Sequence, residues 1–351
     1  MGPIRATIVG SLPKPGWLAV PGILQAPWKV SAADLPEALD DATWLSVESQ
    51  VAAGLDVVTD GEQRRRHYIW GFLDGIAAVD TANLVMKPTR GQRFKKEAPV
   101  ARLTGEPEWP GPTQLEALSA VRALTDRPVK VTLPGPMTLV DSLHDEVGRH
   151  STADLAMLFA DLLNREARAL AEAGAAVVQF DEPCFNIYLD QARDWGVAAL
   201  ARASAGVGTT TGVHICYGYG GSEVTDWKAA NRDWSHYEQS LGLVARTDID
   251  QVSIETAAVG IDIGVIELLR GKDVLLGLVN VGDERVETPE EIAGGLRRAL
   301  DHVEPHRLFA CTDCGLVLRG REAAAAKMRA LAAGAAIVNR ELTCVAGEVS
   351  P

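Results

Sequence analysis

Eight short apolar runs, each followed by a stretch with helical spacing, constrain this chain more than any other feature. They are IRATIVG (4–10), LDVVTDGE (55–62), VKVTLPG (129–135), AVVQFDEP (176–183), TTTGVHIC (209–216), DQVSIE (250–255), VLLGLVNVG (274–282) and RLFACTDC (307–314). Runs this short and this apolar read as strands buried on both faces, as in a parallel sheet covered by helices. In STADLAMLFADLLNREARALAEAG, Ser151 with Asp154 three residues later is a helix-start signal, and Gly174 closes the helix. REAAAAKMRALAAG is expected to end in the same way, on Gly334. Strand-then-helix repeated eight times predicts an α/β chain folded as a (β/α)8 TIM barrel, one domain over residues 1–351. Two segments interrupt the repeat. Residues 77–115 read as an inserted hairpin with a KPTRGQ turn, and 186–237, with Trp195, Trp227 and Trp234, read as a lid region.

In a barrel the carboxyl ends of the strands share one face, and active sites lie there. Ser11 follows the first run, Asp60 and Glu62 close the second, and Asp181 and Glu182 the fourth; His214 and Cys216 close the fifth, Glu255 the sixth and Cys314 the eighth. Taking acids and thiols out of water without partners is costly, so such a cluster implies a metal or a charged ligand. His214 and Cys216 are two apart and point to the same side of a strand. With Glu255 and Cys314 they supply imidazole, thiolate and carboxylate donors, a set suited to a tetrahedral Zn2+. An ion so rich in anionic ligands is a weak Lewis acid but a good holder of a substrate thiolate, which predicts an enzyme that alkylates a thiol. Cys311 lies inside its run and is expected to pack as a small apolar residue, and Cys184 and Cys344 read as structural. Glu62 and Asp181 suit the ammonium of an amino acid, with Ser11 and the backbone of Val9, Gly10 and Ser11 near its carboxylate. His67, His144, His150, His236, His302 and His306 have no ligand-like neighbour in sequence.

The net charge of −13 and the absence of a long basic tract argue against a nucleic-acid partner. Arg64, Arg65 and Arg66 read either as a solvated helix start or as an anchor for an anionic substrate tail. No window approaches the roughly 20 apolar residues of a membrane span, and the first residues lack a leader pattern, so a cytoplasmic, non-membrane protein is expected. Five cysteines at irregular spacing suit reduced thiols and a metal better than a disulfide framework.

The motifs IVGSLPKP, GLDVVTDGEQRR, VTLPGPMTL, VQFDEP, HICYG, VSIET and DCGL, in this order over nearly the whole chain, resemble the catalytic C-terminal domain of cobalamin-independent methionine synthase. The resemblance is to a short form without the family's duplicated N-terminal barrel. It implies zinc-dependent transfer of a methyl group to homocysteine, with His214, Cys216, Glu255 and Cys314 matching the zinc ligands. Val9, Ser11, Glu62 and Asp181 match positions that hold the amino-acid end of homocysteine. Members that use methyltetrahydrofolate carry an Asp and a His after the seventh strand, where VNVGDERVE offers Asn280 and Gly282. The tryptophan that would stack on the pterin after LPGPMTL is also missing, since Leu139 to Ser142 reads LVDS. A methyl group on a tertiary amine leaves poorly unless the nitrogen is protonated, so a folate donor calls for a general acid, for which Asp283 or Glu284 is the candidate. Such a carboxyl must have its pKa raised strongly to stay protonated at neutral pH. The donor is therefore open between methyltetrahydrofolate, a methyl-corrinoid and another carrier, with a helper protein as a further partner.

The expected reaction seats the homocysteine amino group on Glu62 and Asp181 and its sulfur on the metal, where it could displace Glu255, and the thiolate attacks the methyl carbon in line. A rival enzyme of the same kind would open an epoxide with another thiol, but a sulfonate-bearing thiol calls for basic groups where Glu62 and Asp181 stand. A non-catalytic zinc-binding barrel would have no need of Ser11, Glu62 and Asp181 on the same face.

Overall fold

Seven of the eight apolar runs become strands of one parallel sheet, and the second, at 55–62, does not become a strand. The computed structural model describes residues 4–25, 27–92, 97–219, 222–231 and 233–348. The strands in chain order are β1 (Arg5–Ala6), β2 (Ala77–Pro88), β3 (Glu97–Glu108), β4 (Lys130–Pro134), β5 (Leu143–Asp145), β6 (Val177–Asp181), β7 (Thr210–Ile215), β8 (Gln251–Ile254), β9 (Asp273–Val279) and β10 (Leu308–Thr312). The large sheet runs β1-β10-β9-β8-β7-β6-β4, every pair parallel, with helices returning the chain between strands. Its two edges are brought towards each other by residues 56–58. The Asp56 and Val58 amides donate to the carbonyls of Ala6 and Pro128, at 2.8 and 3.0 Å, and Lys130 N–H donates back to Val58 at 2.8 Å. The result is a mixed α/β fold with a curled parallel sheet, in which the second run contributes a single parallel bridge, Val58 to Val129.

Strands β4, β6 and β8 are buried along their whole length, as continuous apolar runs require. Burying one Val, Leu, Ile or Phe side chain stabilises the fold by about 1.5–3 kcal/mol, and most of these chains enter one continuous core between sheet and helices. Val9, Leu275, Phe309 and Cys311 form a separate small cluster. In β9 and β10 these residues alternate with core residues, so they occupy the opposite face of the sheet, and Cys311 packs there as an apolar side chain. The helix Thr152–Glu172 starts on Ser151, whose Oγ accepts the Asp154 amide at 3.2 Å, a cap worth about 1 kcal/mol. Gly174 follows its end at φ 91°, as its sequence suggests.

Two expectations need correction. Helix Arg321–Glu348 runs straight through Gly334. A Cβ at that position would lie 2.4 Å from the Ile292 Cβ, so this glycine permits two helices to approach closely rather than ending one. The segment 186–237 is not one lid. Val197–Ser204 is the helix that returns the chain to β7, and β7 itself lies inside these limits, so the turns of 186–196 after β6 and the stretch after β7 are separate segments. The inserted hairpin is present as β2 paired antiparallel with β3, and β5 joins it to make a three-stranded sheet. Residues 93–96 of the hairpin, and 220, 221 and 232 of the later segment, lie outside the described residues. Among the described residues no helix is long and apolar enough to cross a membrane.

Candidate metal centre and active site

His214 in β7, Cys216 just after it and Cys314 just after β10 bring one donor atom each within 4.8 Å of one another. Strand register does this: β7 and β10 end on the same side of the sheet, separated by β8 and β9. His214 Nδ1 meets Ser253 Oγ of β8 at 2.9 Å, which orients the ring. Its other nitrogen, Nε2, is buried with no hydrogen-bond partner. Burial opposes protonation of this ring, yet the charges of Cys216, Asp181 and Glu255 raise its pKa. Contact with the Cys314 thiol, helped by His214 and Lys228, holds Cys216 well below the usual thiol range against the cost of burial, and the same contact pushes Cys314 up. The Gly218 amide also points at the Cys216 sulfur, at 3.3 Å. An orphaned imidazole nitrogen beside two cysteine sulfurs, one of them with its pKa held down, fits a thiophilic divalent metal.

Glu255, expected as the fourth ligand, is not in this group. Its carboxylate is fully buried and committed elsewhere: Oε1 accepts Lys228 Nζ at 2.5 Å and the Tyr219 hydroxyl at 2.8 Å, and Oε2 accepts the Tyr217 amide at 3.0 Å. Burial pushes its pKa up to about 7 against the pull of Lys228.

The same cavity is lined by two further acids, one of them, Asp181, paired in register with His214 on the neighbouring strand. Asp181 closes β6, and Gln179 donates to its Oδ1 at 2.8 Å. Burial, with the nearby charge of Glu62, pushes Asp181 up to about 7 even though His214 pulls it down. Glu62 sits in the left-handed region at φ 57°, directly after Gly61 at φ 65°. A non-glycine residue held there stores about 1–3 kcal/mol of strain, a pattern that gathers at functional sites. Thr132 Oγ1 lies 3.2 Å from Glu62 Oε1, and Gly10 leaves the room, since a Cβ there would lie 3.0 Å from the same oxygen. Val9 and Ser11 line this part of the cavity; Val9 N–H donates to Thr312 Oγ1 at 3.1 Å, and the Ser11 carbonyl accepts Leu316 N–H at 2.8 Å. Glu182, next to Asp181, turns away from the cavity to cap the helix Pro136–Asp141 through the amides of Met137 and Thr138.

The cavity, about 230 Å³, is bordered by both groups, by Arg66 of the arginine cluster, and by side chains that sequence reasoning did not single out for it: Lys14, His67, Trp70 and Arg90. Burial, reinforced by Arg90, drives His67 down to about 3, so this ring is neutral. Burial also lowers Lys14 to about 8. The three consecutive arginines divide. Arg64 pairs with Asp40 and Glu116, Arg65 holds the Thr132 carbonyl at 2.8 Å and faces Asp60, and only Arg66 reaches the cavity. Asp283 does not line it. It is exposed in the loop after β9, accepting from Asn280 Nδ2 at 3.2 Å and from the Arg285 amide at 3.0 Å.

A sequence profile described as the cobalamin-independent synthase catalytic domain matches residues 5–336. The chain belongs to this family. A methionine synthase of Thermococcus kodakarensis is 31% identical over 341 residues, covering 97% of this chain and 94% of that protein. One from Sulfurisphaera tokodaii is 28% identical over 342 residues, with coverage of 97% and 94%. The solved B12-independent methionine synthase of Shewanella sp. W3-18-1, in complex with selenomethionine, superposes with a TM-score of 0.94 at 38% identity, covering 98% of this chain and 100% of that one. A Listeria monocytogenes structure at 19% identity and TM-score 0.67 shares the fold.

Within the family frame, four supporting residues were missed from sequence: Ser253, Tyr219, Lys228 and Asp313. Asp313 is fully buried and gathers the amides of Thr256, Ala257 and Ala258, at 2.8–2.9 Å, which fixes the turn directly after Glu255. Its place beside Cys314 was the one available signal.

Proposed function

We propose that this chain is a zinc-dependent S-methyltransferase that moves a methyl group to the sulfur of homocysteine and yields methionine. The observation that carries the reading is one cavity lined both by three metal-ligating donors, His214, Cys216 and Cys314, and by two buried acids, Glu62 and Asp181. Methionine synthases as relatives, and selenomethionine in the Shewanella protein, support a ligand with an amino-acid end and a sulfur or selenium end. His214, Cys216 and Cys314 would hold the zinc, with Glu255 behind them. Zinc there lowers the pKa of a thiol and keeps its sulfur nucleophilic at neutral pH.

The remaining work falls to the chain itself. Glu62 and Asp181 receive the ammonium, and ammonium binding keeps Asp181 ionised despite its burial. The Val9 to Ser11 segment meets the substrate carboxylate. Fixing both ends of the substrate aims the sulfur at the methyl carbon, and such orientation can supply roughly 7–11 kcal/mol of the barrier. Residues 56–58 are the reduced second strand of a (β/α)8 barrel in this reading, which places Glu62 on the same face as the metal donors.

The test is methionine formation by zinc-loaded protein from homocysteine, with methyltetrahydrofolate and methylcobalamin supplied in parallel and growth of a methionine auxotroph as the cellular counterpart. Methionine from either donor, lost in Cys314→Ser, supports the reading. No rescue in the auxotroph and no product from either donor overturns it.

A further inference from the structure

Two acids await the ammonium of an amino acid in this cavity, and its other charged end needs a cation. Three cations line the cavity: Lys14, Arg66 and Arg90. Arg90 is committed to Asp141 and, at 3.1 Å, to the Tyr68 hydroxyl. Arg66 lies 3.8 Å from Asp74 with its guanidinium over the Trp70 ring. Lys14 alone of the three is unpaired. Among the described residues it makes no hydrogen bond and no ion pair, and its nearest aromatic face, the Trp28 ring, has its centre 6.0 Å from Nζ. It is half-buried and stands three residues past Ser11. Burial lowers its pKa to about 8, with Arg65 adding to the fall, against the pull of Glu62 and Asp60. The backbone beside it is open as well: the Ser11 carbonyl accepts Leu316 N–H, but the Ser11 amide donates to nothing among the described residues. An unpaired ammonium and a free amide on one loop, next to the acid that takes the amino group, form a receptor for a carboxylate.

We infer that Lys14 is a substrate-binding residue: its ammonium and the Ser11 amide together take the α-carboxylate of the thiol substrate, so the chain selects zwitterionic amino acids over thiols that carry an amine alone. The inference rests on the proposed amino-acid site and names the residue that makes a free carboxylate a requirement. Without this cation the substrate carboxylate would be a third negative charge beside Glu62 and Asp181, which Coulomb repulsion in a buried site disfavours.

The experiment titrates two probes calorimetrically into the full chain and its variants. Methionine is one; methioninol, which keeps the thioether and the ammonium but has a neutral hydroxymethyl group for the carboxylate, is the other. In Lys14→Met, methionine should bind about 10- to 100-fold more weakly, the loss of one charge-assisted hydrogen bond, while methioninol binds as before. Lys14→Arg keeps the charge and should fall between. A second readout needs no variant. The groups whose charge reaches Lys14 are Glu62, Asp60, Arg65 and His67, and both probes carry the same ammonium, so the ratio of the two affinities isolates the carboxylate. As pH rises from about 7 to about 9.5, Lys14 gives up its proton and the preference for methionine should shrink. Equal weakening of both probes in Lys14→Met, which a loosened loop would produce, overturns the inference, as does unchanged methionine binding or a ratio that stays flat with pH; each leaves the thiol-alkylating reading standing. If methionine does not bind the unaltered chain at all, the amino-acid site itself fails, and this inference falls with it.

Discussion

The cavity at the amino ends of the strands measures about 870 Å³ and is lined by Ser204, Thr211, Asp248, Asp250, Lys272 and Asp273; the one at the carboxyl ends measures about 230 Å³. Both are rimmed by charged residues, and the larger is the more polar. They differ in the chemistry of the groups around them. Below, Asp250 Oδ2 accepts the Thr211 amide and hydroxyl at 2.7 and 2.9 Å, and Lys272 Nζ donates to the carbonyls of Thr247 and Ile249 at 2.6 Å each. Above, His214 Nε2 and Asp60 Oδ2 are buried without partners, Glu62 is held in a left-handed turn, and the Cys216 and Cys314 sulfurs lie within 4.8 Å of each other. Arg307 Nε, beside Lys272 at the amino ends, is buried and unmet as well, so what marks the site is the kind of unmet atom, an imidazole nitrogen next to two thiols, and not unmet valence or volume alone.

The largest effect should separate the two ends outright. Cys216→Ser or Cys314→Ser is expected to lose zinc and methyl transfer together, read by metal analysis and product formation. Asp250→Asn, at the other end, should cost about 1–3 kcal/mol of stability and leave kcat/KM unchanged. Turnover by a zinc-free cysteine variant would break the comparison.

Within the upper cavity, Glu62→Gln and Asp181→Asn should retain zinc but raise KM for homocysteine roughly 10- to 100-fold, the loss of one charged hydrogen bond of about 1.5–3 kcal/mol. A loss of zinc instead would place these acids in the metal site.

Asp181 also sharpens the contrast through pH. Burial, with Glu62 adding to it, raises its pKa from 3.8 to about 7, so between these values the folded chain keeps a proton that the unfolded chain has released. That proton stabilises the fold at low pH, and its contribution is lost as pH rises towards 7. Urea midpoints of metal-free protein should show this decline in the unaltered chain, and Asp181→Asn should remove that part of the profile.

The smallest effect is expected at Asp283. Exposed and outside the cavity, its change to Asn should leave kcat with any donor nearly unaltered. A fall of about tenfold, worth about 1.4 kcal/mol of transition-state stabilisation, would instead make it the proton donor.

Much of this was legible before any coordinates. Strands buried on both faces write themselves as apolar runs, and the residues that close them fall on one side of a parallel sheet, which is why His214, Cys216 and Cys314 could be grouped from positions a hundred residues apart. The second run misled because its backbone bonds are shared between two edges without pairing as a strand, although its pattern is as apolar as the others. Gly334 misled because a glycine that lets helices touch looks, in one dimension, like one that ends a helix. The boundaries of 186–237 were drawn around tryptophans, which mark buried surface as well as loops. Lys228 and Tyr219 left no local sign, since each acquires its meaning only from Glu255 on a different strand. The donors of a site are written at strand ends; what restrains them is written in packing.

Zinc K-edge X-ray absorption on the metal-loaded chain, before and after homocysteine, tests the central claim most directly. The account predicts two sulfurs and one imidazole around the ion at rest, and a third sulfur when the amino acid is added. A shell without cysteine sulfur, or a sulfur count that homocysteine leaves unchanged, would contradict it.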